Sequence, residues 1–151
     1  MVNDLTDGTA NKGYRILVVD DEEDLCEILK FNLETEGYTV ETANSAEEAL
    51  TLDIASFNLL LLDVMMGGMS GYSLAKKLKA APATAQIPII FLTARDSEND
   101  TITGFNIGAD DYISKPFSLR EVMVRIRAVL RRTSETPDTE AHQMIRYQGL
   151  E

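Results

Sequence analysis

Histidine and cysteine are almost absent from this 151-residue chain, which holds one of each, His142 and Cys26, and no tryptophan. A single cysteine excludes an internal disulfide and any cysteine-rich zinc site, and it fits a reducing compartment. A single histidine removes every His-pair metal site and most histidine-based catalysis. No apolar run approaches the ~20 residues of a membrane span, and Met1 to Lys12 lacks the apolar core of a signal peptide. A cytoplasmic protein without membrane contact is therefore expected. Bases are the minority charge, 14 against 25 acids, for a net charge of -11. Phosphate backbones repel such a surface unless its basic groups are segregated to one face, so this stretch is not itself expected to bind nucleic acid. The chain also lacks a Gly-x4-Gly-Lys-Ser/Thr nucleotide loop.

What remains is an ordinary globular balance, 44% apolar and 26% charged, at a length suited to one domain plus tails. Residues 1–12 are polar and aperiodic and are expected as a disordered leader. From Tyr14 onward, short apolar runs alternate with helical spacings. Ile16 to Val19 is followed by Leu25, Ile28, Leu29 and Leu33 on one helix face, with Gly37 placed as a C-terminal cap. Tyr38 to Ala43 alternates as a strand, and Ser45-Ala-Glu-Glu48 opens a short helix through Leu52 as a capping box. Leu59 to Leu62 is apolar on both faces, the mark of a central parallel strand. Gly71 to Leu78 is predicted helical, Ile87 to Leu92 a strand, Ser97 to about Ile107 a helix and Asp111 to Ser114 a strand. A second capping box, Ser118 to Glu121, precedes Val122, Ile126, Val129 and Leu130. Five strands alternating with five helices predict a doubly wound α/β fold over 13–132, with helices on both faces of a parallel sheet. Thr133 to Gln143 carries Pro137 and no periodicity and is expected as a linker over 133–142, with 143–151 opening a further domain.

The polar residues fall at particular places. Asp20 and Asp21 end the first apolar run, Asp63 the third and Thr93 the fourth, and Lys115 closes the fifth. In an open parallel sheet the C-terminal strand ends share one edge, where ligands bind. Taken singly, each residue has an ordinary explanation: Asp20 to Asp24 suits a solvated helix start, and Asp63 before Gly67-Gly68 suits a turn. Chance must then place all five at one sheet edge. Clustered carboxylates repel and need a cation, and an all-oxygen set favours a hard ion, Mg²⁺ over a transition metal. Asp63 stands alone after the most buried strand and is the natural nucleophile. Lys115 and Thr93 would then serve a phosphoryl group on it.

The motifs Val18-Val-Asp-Asp-Glu22, Leu62-Asp-Val-Met-Met66, Phe91-Leu-Thr-Ala94, Gly108-Ala-Asp-Asp-Tyr112 and Lys115-Pro-Phe117 resemble, in order and spacing, the receiver domains of two-component response regulators. The resemblance implies a flavodoxin-like receiver fold with strand order 2-1-3-4-5. It implies a signalling switch rather than an enzyme, in which Asp63 accepts phosphate from a sensor histidine kinase. By the same carry-over, Asp20, Asp21, Asp63 and the Met65 backbone carbonyl bind Mg²⁺, and Lys115 pairs with the phosphoryl group and precedes a cis bond to Pro116. Thr93 and Tyr112 form a switch pair, and the small Ala94 leaves room beside the site. One position departs from the family, which usually has proline where Gly67 stands. Two glycines loosen a turn that proline would restrain, so a less preorganised Mg²⁺ site is expected.

In the OmpR/PhoB-type winged-helix regulators, the subfamily that the chain resembles further, a homodimer forms through the fourth helix, fifth strand and fifth helix. Matching positions are Asp100, Asp110, Asp111, Glu121, Arg125 and Arg132, around an apolar centre of Ile102, Phe105 and Met123; Thr101 stands where a basic residue is usual. Ile145 to Leu150 resembles the first strand of the DNA-binding domain of that subfamily, so DNA would be bound only through a part absent here. Two other readings stay open: a stand-alone receiver controlling a protein target, and a Mg²⁺-dependent phosphohydrolase of the haloacid-dehalogenase type. The latter carries Asp-x-Asp after its first strand, whereas this chain has adjacent Asp20-Asp21.

Overall fold

The computed structural model describes residues 13–94 and 106–143, the last ten by their backbone alone. The strands are β1 (Arg15–Val19), β2 (Thr39–Ala43), β3 (Leu59–Asp63), β4 (Ile89–Thr93) and β5 (Asp111–Ser114). The helices are α1 (Glu23–Thr35), α2 (Ala46–Ala49), α3 (Gly71–Ala80) and α4 (Leu119–Gln143). All strand pairs are parallel, in the order β2-β1-β3-β4-β5. The fold class and order follow the sequence reading. The predicted helix from Ser97 lies almost wholly outside the described residues, as do the leader, Ile102, Phe105 and the chain after Gln143.

Why β3 sits centrally is visible in its side chains. Leu59, Leu60, Leu61 and Leu62 are all 0% exposed. Leu60 and Leu62 join Leu17, Val19, Ile89 and Phe91 against Ala46 and Ala49 of α2 and Leu74, Ala75 and Leu78 of α3. Leu59 and Leu61 join Ile16, Val18, Ile90 and Leu92 against Cys26, Leu29 and Leu33 of α1 and Val122, Ile126 and Val129 of α4. Each such leucine contributes roughly 1.5–3 kcal/mol by leaving water, which ties the sheet to both helical layers.

Local signals set the ends. Gly37 takes φ 106°, its amide donates to the Glu34 carbonyl, and the Tyr38 amide donates to Leu33, which together make a Schellman cap. Ser45 Oγ accepts the Glu48 amide at 2.9 Å, the first bond of the capping box, while Glu48 Oε1 reaches one residue further back and accepts the Asn44 amide at 2.7 Å. That helix stops at Ala49, short of Leu52, because the amides of Thr51 and Leu52 turn back by three residues, to Glu48 and Ala49. At Ser118 only half of the second box forms, Ser118 Oγ accepting the Glu121 amide at 3.0 Å, since the Glu121 carboxylate turns to Arg125 instead. Helix α4 continues over 133–142, where irregular chain was expected. An apolar face anchors its first three turns, and an established helix propagates cheaply once nucleated.

Candidate functional site

The parallel register brings the predicted residues to one edge. Asp20 follows β1 directly, Asp63 is the last residue of β3, Thr93 the last of β4, and Lys115 follows β5. Asp63 pairs with Leu92, so Thr93 stands one residue further along the neighbouring strand, and Thr93 in turn pairs with Ser114. Asp20 and Asp63 are buried, 0% and 3% exposed, whereas Asp21 is open to solvent. Carboxylate oxygens of Asp20, Asp21 and Asp63 all lie within 4.8 Å of one another.

Lys115 is the counter-charge. Its Nζ lies 3.0 Å from Asp20 Oδ2, 3.6 Å from Asp63 Oδ1 and 3.9 Å from Glu22 Oε2. Its backbone is fixed as well, the amide donating to the Thr93 carbonyl at 2.6 Å, and the peptide bond to Pro116 is cis. Asp20 is held on three sides: Oδ1 accepts the Glu22 amide at 2.9 Å, and its carbonyl accepts both the Cys26 thiol at 3.3 Å and Asn44 Nδ2 at 3.1 Å. The acid run is thus divided. Asp20 turns inward to the site, while Glu23 and Asp24 occupy the first turn of α1 and favour its dipole.

These contacts set the electrostatics. Burial first, and the nearby Asp20 charge second, push the Asp63 carboxyl from 3.8 up to about 6, against the opposing pull of Lys115 and of the Met65 amide, which donates to it. Burial alone would lower the Lys115 ammonium, but the hydrogen bond and charge of Asp20, with Asp63 and Glu22, hold it above its ordinary value. Burial and the Asp20 charge push the Cys26 thiol up to about 12, so it remains protonated. The donor set is therefore all carboxylate, without imidazole or thiolate. Oxygens bound to one Mg²⁺ stand ~2.9 Å apart when adjacent and ~4.2 Å when opposed, so three carboxylates with oxygens within 4.8 Å of one another are close enough to converge on such an ion. The residues present fit Mg²⁺.

The other residues named from the sequence are placed as follows. Tyr112 pairs in register with Phe91, their ring centroids 5.6 Å apart, and its hydroxyl lies 3.1 Å from that of Tyr72. Asp111, Glu121 and Arg125 cluster, but within one chain: Arg125 Nη1 reaches both Asp111 oxygens at 3.0 Å and Nε reaches Glu121 at 3.3 Å. The Asp110 carboxylate accepts the Ile89 amide at 3.0 Å, and Arg132 Nη2 donates to the Asp110 carbonyl at 3.5 Å. Met123 packs against the molecule's own core, and it is Val124, 53% exposed, that lies with Asp111, Ser118 and Arg125 in an open groove of about 480 Å³.

Several contributors were not foreseen. A Cβ at Gly71 would lie 2.1 Å from the Asp63 carbonyl oxygen, so only glycine allows α3 to start against the end of β3. Gly68 takes φ 78°, while Gly67 has open space where a side chain would be. Asn44 bonds the Asp20 carbonyl, Glu47 the Met69 amide and Tyr72 the Tyr112 hydroxyl. Their partners are far away in sequence, and no periodicity marks them.

A doubly wound sheet with buried acids at its topological edge defines a carboxylate-based switch domain. The chain matches the family model "Response regulator receiver domain" over residues 16–127. It belongs to the response-regulator receiver family, and its relatives are regulators of the OmpR/PhoB type. It is 50% identical over 119 residues to the transcriptional regulatory protein CpxR of Escherichia coli K12, covering 79% of this chain and 50% of the relative. It is 41% identical over 135 residues to the response regulator SaeR of Staphylococcus epidermidis, covering 89% and 58%. The chain therefore spans about half the length of the curated relatives it matches. Among solved structures, the non-phosphorylated HemR receiver domain of Leptospira biflexa superposes with a TM-score of 0.73 at 36% identity, covering 78% of this chain and 94% of that one. Receiver domains are phosphorylated signalling switches rather than conventional enzymes. Among the described residues, no helix is long and apolar enough to cross a membrane.

Proposed function

We propose that Asp63 is the phosphoacceptor, charged by the phosphohistidine of a sensor histidine kinase, and that its phosphorylation switches dimerisation and transcriptional output. The single observation that carries this reading is the convergence of Asp20, Asp21 and Asp63 within 4.8 Å, with Lys115 3.6 Å from Asp63. An Asp63 carboxylate oxygen attacks phosphorus, forming a P–O bond. The P–N bond breaks, and its electron pair stays on the departing imidazole, which takes a proton from solvent. Mg²⁺, when bound by Asp20, Asp21, Asp63 and the Met65 carbonyl, would neutralise the phosphoryl oxygens and keep three carboxylates ionised together. Lys115 supplies the compact charge that follows the transferred group, and its link to Asp20 keeps it in place before transfer.

Thr93, on the strand beside Asp63, donates its hydroxyl to the new phosphoryl oxygens. Tyr112 turns inward behind it, coupling the acyl phosphate to β5 and the start of α4. The face of β5 and α4, with Asp111, Glu121, Arg125 and the undescribed Ile102 and Phe105, pairs with a second copy. In the resting chain Asp111 and Glu121 already occupy Arg125 internally, so dimerisation exchanges partners rather than engaging idle charges. Residues 133–142 lead to a DNA-binding domain that begins in 143–151, in a protein of the cytoplasm. A stand-alone receiver acting on a protein target is the alternative.

The test incubates this chain and Asp63→Asn with Mg²⁺ and a small-molecule phosphodonor, followed by intact mass and oligomeric state. The expected result is one phosphoryl adduct on the parent chain alone, with a shift toward dimer. Adducts on both proteins would refute Asp63 as the acceptor. An adduct without dimerisation would favour the stand-alone reading.

A further inference from the structure

The loop that leaves Asp63 is glycine-rich, yet it is held from outside. Glu47, exposed on the first turn of α2, sends its carboxylate to it: Oε2 accepts the Met69 amide at 3.2 Å. A Cβ built on Gly68 would lie 3.1 Å from the same oxygen, so the bare glycine backbone passes directly beneath the carboxylate. The neighbouring acids have separate tasks. Glu48 bonds Asn44 and Ser45 at the start of its own helix, whereas Glu47 bonds a residue 22 positions away.

The loop is also closed at its base. The Gly71 amide donates to the Val64 carbonyl at 3.0 Å, and Gly71 lies against the Asp63 carbonyl. Between these two ties stand Met65, whose amide bonds the Asp63 carboxylate, and Gly67, where an added Cβ would meet nothing within 4 Å. We propose that Glu47 is a positioning residue for the cation site: by clasping the Gly68-Met69 backbone it fixes the path of residues 64–70, and so the place of the Met65 backbone beside Asp63. It supplies from outside the restraint that a proline at position 67 would supply from within. The proposal rests on the Mg²⁺ reading above.

Four proteins test it: the parent chain, Glu47→Ala, Glu47→Gln, and Glu47→Ala combined with Gly67→Pro. Two quantities are read by NMR, amide hydrogen exchange at Met69 without metal and Mg²⁺ affinity by titration. Outer-shell supports of metal ligands are worth ~10-fold or more in affinity, and Glu47 acts one layer further out, so Glu47→Ala should weaken Mg²⁺ binding by roughly 3- to 10-fold. It should also speed Met69 exchange. Glu47→Gln keeps an acceptor oxygen and should stay near the parent in both readouts. Gly67→Pro should restore most of the affinity lost in Glu47→Ala, without slowing Met69 exchange to the parent rate, because it narrows the backbone by another route. Unchanged Mg²⁺ affinity in Glu47→Ala overturns the proposal. Equal loss in Glu47→Gln also overturns it, since charge rather than the clasp would be acting. A parent chain that does not bind Mg²⁺ instead overturns the cation-site reading, and Met69 exchange then reports on the clasp alone.

Discussion

Removing the carboxylate at position 63 should stabilise the metal-free protein at neutral pH. Asp63 is 3% exposed, and burial together with Asp20 lifts its carboxyl from 3.8 to about 6. A folded-state pKa above the unfolded one means that the native state binds this proton more tightly. Its contribution is fully present below about pH 4 and is lost as pH rises through about 6. A gap of about two units corresponds to ~3 kcal/mol, because each unit is worth ~1.4 kcal/mol. Above about pH 7, then, a chelated parent chain carries an ionised, buried Asp63 next to Asp20 with Lys115 as its shared counter-charge. Asp63→Asn is neutral throughout and escapes this cost. Urea unfolding of both proteins in chelator, followed by circular dichroism from about pH 4.5 to pH 8, measures the difference. The variant should gain on the parent as pH rises, by about 1–3 kcal/mol across the window, and saturating Mg²⁺ should shrink the gap by binding the parent. A difference independent of pH, or a variant less stable than the parent in chelator at pH 8, would refute the reasoning.

Three further outcomes are expected. Gly71→Ala places a Cβ 2.1 Å from the Asp63 carbonyl, a backbone atom that cannot yield without moving the site; it should cost about 1–3 kcal/mol in thermal or urea unfolding and also weaken Mg²⁺ binding, and an unaffected protein would show that the two elements can part. Cys26 is 2% exposed with its thiol pushed up to about 12, so alkylation near pH 8 should proceed only as fast as the protein opens; rapid labelling of the native chain would contradict the packing against Asp20. Arg125→Ala removes partly exposed ion pairs to Asp111 and Glu121 and should change stability by less than about 1 kcal/mol, yet it should alter the oligomeric state after phosphorylation, read by light scattering.

Most of the fold was legible in the residues themselves. Leu59 to Leu62 could only be a strand covered on both sides, and Gly37 and the Ser45 capping box marked helix ends by local chemistry that acts within a few residues. The site was legible for a related reason. Parallel strands put their C-terminal ends on one edge: Asp20, Asp63 and Lys115 come into contact there, and Thr93 ends the strand beside Asp63.

What the sequence could not supply are contacts whose partners lie on different elements and follow no period. Nothing in the pattern says that Glu47 clasps Met69, that Asn44 and Cys26 both hold the Asp20 carbonyl, or that Arg125 is taken by Asp111 of its own chain. Nor could the motif order state that Gly71 is obligatory, because its reason is a carbonyl on the neighbouring strand end. Local propensity and apolar periodicity determine which elements form and which edge carries the acids. Only packing in three dimensions determines how the glycine-rich loop after Asp63 is restrained, because that restraint comes from a side chain on another element.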